Sequence, residues 1–278
     1  MKIDKKKERI YVITKELEDF FFSDEARGIR LQVDYEKAEV RLKEFGVKYT
    51  IVVFGSARIK PADVAIRELE EIETKIKQNP DDKKLPHELE RAKIALHKSV
   101  FYEEARKFGQ LVGKGGKGPQ DCTVTLMTGG GPGIMEAANR GAHDVGAKSI
   151  GLNIRLPHEQ HPNPYITPEL SFSFYYFGIR KLHFMQRAKA LVVFPGGFGT
   201  LDELFDILTL VQTGKNPRIP ILLVSKAYWS KVIDFEFLAE EGVIDKEDLK
   251  LFAYVESAEE AWEYILRYYE EKGEPLYK

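Results

Sequence analysis

Apolar and polar positions along this chain alternate between a helical period and short unbroken apolar runs. Residues 1 to about 46 place Leu31, Tyr35, Ala38, Leu42 and Phe45 at helical spacing among charges, and Gly46 is a natural stop. This predicts a helical N-terminal extension, followed by one domain over 47–278. Tyr49–Phe54 is mostly β-branched or aromatic and ends in Gly55-Ser56-Ala57-Arg58, the pattern of a buried strand feeding a tight loop. From about 61 to 112 the chain is strongly charged with helical periodicity, broken at Asn79-Pro80-Asp81-Asp82 and Leu85-Pro86. Two or more helices are expected there, as an insertion whose charges form a solvated face.

A regular alternation follows. Strands are predicted at Cys122 to Met127, Ser149 to Asn153, Leu191 to Phe194 and Ile219 to Val224. Helices are predicted at Ile134 to about Val145, Gly178 to Ala188, Leu201 to Gln212 and Ser257 to Tyr269, the last opened by a Ser257/Glu260 capping box. A proline-rich loop (157–168) and an aromatic segment (172–177) lie between. Strands alternating with helices mean an α/β fold: an open parallel sheet with helices on both faces.

Composition narrows the chemistry. A net charge of -2, from 42 basic and 44 acidic residues, gives no global pull toward nucleic acid or an anionic membrane, so any anion site must be local. The N-terminus is too charged for a secretory segment, and no apolar run reaches the length of a membrane span; a cytoplasmic protein is expected. The single cysteine, Cys122, is read as a buried small hydrophobe in a reducing compartment.

Two glycine loops carry the candidate site. The first, Thr128-Gly129-Gly130-Gly131-Pro132-Gly133-Ile134-Met135-Glu136, joins a strand to a helix, and so does the second, Pro195-Gly196-Gly197-Phe198-Gly199-Thr200-Leu201-Asp202-Glu203. Glycines let a ligand approach the backbone, and unpaired N–H groups at a helix start attract anions. In an open parallel sheet both loops lie at the carboxyl edge, where ligands bind. The first loop is not a dinucleotide fingerprint, because Glu136 stands where the third glycine would be; Arg155 after the next strand leaves an NADP site as a minor alternative. The Gly113–Pro119 stretch lacks the Ser or Thr that a Walker loop places after its lysine and reads as a surface loop.

Between the loops lies Arg180-Lys181-Leu182-His183-Phe184-Met185. With Pro195 to Glu203, this resembles the Lonely-Guy family of cytokinin-activating phosphoribohydrolases, long misnamed lysine decarboxylases, and in particular its larger bacterial branch. That family is marked by an Arg-Lys-x-x-Met helix and by P-G-G-x-G-T-x-x-E. Met185 stands one place later than in the shorter plant proteins. The resemblance covers about residues 49 to 225. It implies a Rossmann-like fold, homo-oligomers, and hydrolysis of a nucleoside 5′-monophosphate to free base and ribose 5-phosphate without metal or organic cofactor.

Roles follow from resemblance and chemistry together. Glu203 is the expected catalytic carboxylate, which would stabilise an oxocarbenium-like state and activate water; its alternative is a capping box with Thr200. Arg180 is expected to orient substrate and stabilise charge, with Lys181 beside it. Gly196, Gly197, Gly199 and Thr200 would cradle the phosphate, and Gly55, Ser56, Gly130, Gly131 and Met135 would pack near the nucleotide. Glu136 and Glu159 are candidates for ribose or base contact by resemblance. His158-Glu159-Gln160-His161 lacks the spacing of a helical zinc site, and nothing completes a Schiff-base site around Lys181. A carrier of a nucleotide or of molybdenum cofactor on the same fold is the competing reading; it would need only the phosphate loop.

Overall fold

In a computed structural model, which describes residues 5–154 and 161–277, seven parallel strands form one sheet in the order β4-β3-β2-β1-β5-β6-β7. They are β1 Tyr49–Phe54, β2 Val124–Thr128, β3 Ser149–Ile154, β4 Ser171–Phe174, β5 Ala188–Val193, β6 Ile221–Val224 and β7 Ala253–Val255. The strands are buried on both faces and therefore read as nearly continuous apolar runs. Alternate residues face opposite layers. Val52, Met127, Leu152, Leu191 and Leu223 join one core; Ile51, Leu126, Val192 and Leu222 join the other.

Helices cover both faces. On the first lie α2 (Arg27–Glu44), preceded by α1 (Lys5–Phe22), then α7 (Phe177–Gln186), α8 (Phe198–Gln212), α9 (Lys226–Val232) and α10 (Phe235–Glu240). On the second lie α5 (Val100–Lys114), α6 (Ile134–Asp144) and α11 (Ala258–Glu271). The charged stretch after β1 resolves into α3 (Ala62–Gln78) and α4 (Leu85–Lys98), which pack on each other, and α5, which lies against α6 and the sheet. Within that stretch, α5 is thus the crossover from β1 to β2.

Several boundaries differ from the sequence expectation for identifiable reasons. β2 starts at Val124 because Asp121 Oδ1 accepts the Thr123 amide (3.0 Å) and holds a turn there. The aromatic segment begins as a strand, β4, with Phe172 and Phe174 buried and Ser173 outward. At the start of α11, Ser257 accepts the Glu260 amide, but the Glu260 carboxylate reaches Glu256 N (2.7 Å), so the capping box is only half formed. Among the described residues, no helix is long and apolar enough to cross a membrane.

Sheet order makes β1 and β5 neighbours while the chain winds outward from them in both directions, which opens a crevice at their carboxyl ends. Three loops meet there. Ser56 ties them together: its amide donates to Pro195 O (3.0 Å), and its carbonyl accepts from Ile134 N (3.1 Å). Gly133 has φ +73°, and an added Cβ would stand 2.3 Å from the Ser56 carbonyl, so only glycine permits this junction.

A buried polar network sets the shape of the first loop. Thr128 Oγ1 donates to Asn139 Oδ1 (2.7 Å) and accepts the Gly130 amide (3.0 Å). Asn163 Nδ2 donates to Gly131 O (3.0 Å), Asn139 Oδ1 (3.0 Å) and Gly130 O (3.2 Å). Removing that amide strands buried acceptors, so Asn163→Ala is expected to lower unfolding stability by about 2 to 4 kcal/mol. Denaturant titration checks this, and a variant as stable as wild type would deny the network its role.

Candidate active site

α7 and α8 carry the two charged residues that the crevice brings together. Arg180 lies one turn into α7, and its Nε donates to Leu152 O on β3 (2.7 Å). Its Nη1 stands 3.3 Å from Glu203 Oε1 of α8, with side-chain exposures of 10% and 15%. The guanidinium also lies over the Phe184 ring (4.9 Å).

Desolvation dominates at both partners. Burial pushes the Glu203 carboxyl up to about 7, against the opposing pull of Arg180 and, more weakly, Lys181; Asp202 and Asp206 add to the rise. Burial likewise lowers the Arg180 pKa, against the attraction of Glu203 and Asp202. A carboxyl group titrating near neutrality can exchange a proton with water at physiological pH.

The capping-box reading of Glu203 does not hold. α8 begins at Phe198 with Gly197 as its N-cap and no side-chain cap, so Thr200 already lies inside the first turn. Thr200 is buried, its side chain packed over Gly196, where an added Cβ would stand 2.1 Å from its hydroxyl oxygen. Gly197, Phe198 and Gly199 are exposed, so the first turn of α8 presents backbone N–H groups at the sheet's carboxyl edge. Phe198 is 92% exposed there.

The first loop borders the same pair. An added Cβ on Gly129 would meet Arg180 Nη2 at 2.6 Å and Met135 Sδ at 2.8 Å, so guanidinium and thioether flank this glycine. Gly130 (φ +73°) packs against the Asn153 amide, and Gly131 is held by Asn163. Gly55 leaves room for the Ile134 side chain, which makes its role one of packing.

Other expected residues stand apart from the pair. Lys181 turns to α8's outer side and pairs with Asp202 (2.8 Å) and more distantly Asp206 (3.9 Å). Glu136 faces α5, where it accepts from the Tyr102 hydroxyl (2.8 Å). Met185 is core, and Cys122 is half-buried with its thiol pKa raised by burial. Arg155, His158, Glu159 and Gln160 lie outside the described residues. Sequence reasoning missed Thr128, Asn139 and Asn163 as loop supports; each pairs with residues on separate elements, and no local motif announces that.

Comparison with known proteins gives consistent matches. Residues 135–265 match the family described as "Possible lysine decarboxylase". The probable cytokinin riboside 5′-monophosphate phosphoribohydrolase LOG4 of Oryza sativa subsp. japonica is 28% identical over 149 residues, 52% of this chain and 64% of that protein. The chain thus spans just under two thirds of the length of that curated relative. Among solved structures, the X-ray structure of TM1055, a structural-genomics target, is similar at 17% identity, with a TM-score of 0.47 over 79% of this chain and 99% of the other. The molybdenum cofactor binding protein of Rippkaea orientalis is similar at 18% identity, with a TM-score of 0.44 over 78% and 95%. Residues 135–265 are thus similar to the family described as "Possible lysine decarboxylase", and the curated sequence relatives are similar proteins named as cytokinin riboside 5′-monophosphate phosphoribohydrolases.

Proposed function

We propose that this protein hydrolyses the N-glycosidic bond of a purine-type nucleoside 5′-monophosphate, AMP or a cytokinin nucleotide, to free base and ribose 5-phosphate. The observation that carries the reading is the Arg180–Glu203 pair, buried beside the N-terminus of α8 at the sheet's switch point. The exposed N–H groups of Phe198 and Gly199 suit a 5′-phosphate. A phosphate seated there leaves the ribose to extend toward Arg180 and the first loop.

In this mechanism the bond from C1′ to the base nitrogen breaks, and its electron pair leaves with the base. The water oxygen bonds to C1′. Glu203, as carboxylate, stabilises the developing oxocarbenium charge and accepts the water's proton, while the base takes a proton from solvent. Arg180 stays protonated and holds phosphate or ribose oxygens in a fork. A homo-oligomer belongs to the same proposal, supported by the exposed aromatic side chains of Tyr175, Phe177 and Phe198 around the site.

The test is a panel of nucleoside monophosphates assayed for free base and ribose 5-phosphate. Wild type is expected to release both from at least one member, and Arg180→Ala and Glu203→Gln to lose about 100-fold or more in kcat/KM. Absence of release across the panel, with AMP still raising the melting temperature, would replace the hydrolase by a nucleotide carrier.

Two pH effects follow from Glu203. Ionised Glu203 is the active form, so kcat/KM is expected to rise with a limb near pH 7 in wild type. Its raised pKa also means that the folded state keeps a proton that the unfolded chain has released. The resulting stabilisation is complete below the ordinary value of 4.5 and is lost as pH climbs through about 7, by about 3 kcal/mol. Glu203→Gln escapes this loss and should melt above wild type at pH 8 but level with it near pH 4. Equal melting temperatures at both pH values would contradict the buried carboxyl.

A further inference from the structure

The N-terminal helix α2 grips α7, the helix that carries Arg180, at three points. At its start, the Asp34 carboxylate, 4% exposed, accepts the amides of Tyr175 (3.0 Å) and Tyr176 (2.9 Å). Tyr176 is the N-cap of α7 and supplies no cap of its own, so the anion that α7's dipole favours comes from α2. Lys37 pairs with Asp34 (2.6 Å) and also donates to Ser173 O, and Arg30 Nε donates to the Tyr176 hydroxyl (3.2 Å).

Midway along α7, His183 is fully buried, its ring stacked on Tyr35 of α2 (4.9 Å between centroids) and close to Phe174. Burial favours the neutral imidazole, whose Nε2–H donates to Tyr35 O (3.2 Å). At the far end, Arg187, the C-cap of α7, makes a two-pronged pair with Glu39 (2.6 and 2.9 Å), with side-chain exposures of 11% and 7%. These are buried charges with direct partners. With α2 in place, loss of the Glu39 or Asp34 carboxylate would leave Arg187, or the Tyr175 and Tyr176 amides, buried without those partners.

Arg180 lies between the first and second of these points, and its reach to Glu203 is set by the position of α7. We infer that α2 is part of the active site's machinery: Asp34 and Glu39 are positioning residues that fix α7 so that the Arg180 guanidinium meets Glu203. The inference rests on reading Arg180–Glu203 as the reactive pair, and it assigns a role to the N-terminal extension. The backbone amides of the phosphate loop, held by β5 and α8, are untouched by this grip, but Arg180 both holds the substrate and stabilises charge, so α2 is expected to affect turnover and KM together.

The experiment compares wild type with Asp34→Ala, Glu39→Gln and, as a control on the exposed side of α2, Glu36→Gln. With the best nucleoside monophosphate, Asp34→Ala and Glu39→Gln should lower kcat about 10- to 100-fold and raise KM as well, because a displaced Arg180 loses both its hold on the substrate and its place beside Glu203. A second readout needs no turnover: carboxyl NMR titration of Glu203. Arg180 holds the Glu203 pKa down against burial, so a displaced Arg180 should move the Glu203 midpoint above its wild-type value. Glu36→Gln should match wild type in both.

Folding is checked by circular dichroism, and the near-isosteric Asp34→Asn replaces Asp34→Ala if the latter does not fold. Lower melting temperatures with kcat and the Glu203 midpoint unchanged would make α2 a structural brace only and overturn the inference. Should wild type hydrolyse nothing, the reading of the pair as hydrolytic fails, and the Glu203 midpoint alone still decides whether α2 positions Arg180.

Discussion

Desolvation outweighs attraction where Glu203 meets Arg180, and much of the surrounding structure can be read as holding that arrangement in place. Burial works against both charges, raising the carboxyl pKa and lowering the guanidinium pKa, and the attraction between the two offsets it only in part. Such a contact needs a rigid setting. Leu152 O anchors Arg180 from the sheet, Phe184 lies beneath its guanidinium, and Gly129 leaves the space that its Nη2 occupies. The pair sits at the switch point, where strands diverge and loop backbone is free to face a ligand.

That setting is built in layers. Alternate strand residues feed two separate cores, so the sheet is fixed from both faces before any loop is considered. Ser56 then joins the loops after β1, β2 and β5, and Thr128, Asn139 and Asn163 stiffen the glycine loop from beneath. On the opposite face α2 fixes α7. The Asn139 and Asn163 amides and the Asp34 and Glu39 carboxylates all have partners at buried positions, and such paired groups rigidify their surroundings, although the buried Nδ1 of His183 and Nδ2 of Asn153 have none.

Much of this was legible in the sequence. Tyr49–Phe54 was read to the residue, and the two glycine loops were placed between strand and helix, because apolar runs and glycine clusters are local signals. The errors came from local patterns with two readings. Thr200-x-x-Glu203 has the form of a capping box, which displaced the expected start of α8 by three residues, although Gly197 is the true N-cap. Ser171-Phe172-Ser173-Phe174 alternates as an edge strand should, but the aromatic content drew attention instead. The α2–α7 grip was out of reach for another reason. Asp34 and Tyr175 lie 141 residues apart, and Glu39 and Arg187 148, and an acidic residue on a helix carries no mark of which distant backbone it will meet.

The same electrostatics bears on whether the site is built to react or only to hold. Gripping a phosphate takes backbone N–H groups and a fixed cation, and the α8 N-terminus with Arg180 would provide both. A buried carboxyl adds nothing to that task, since its ionised form repels a phosphate and its burial destabilises the fold above neutral pH. Glu203 also has no capping duty to explain its place. A group that lowers stability, opposes the ligand's charge and titrates near pH 7 is better matched to proton transfer and to a cationic transition state than to a carrier's pocket.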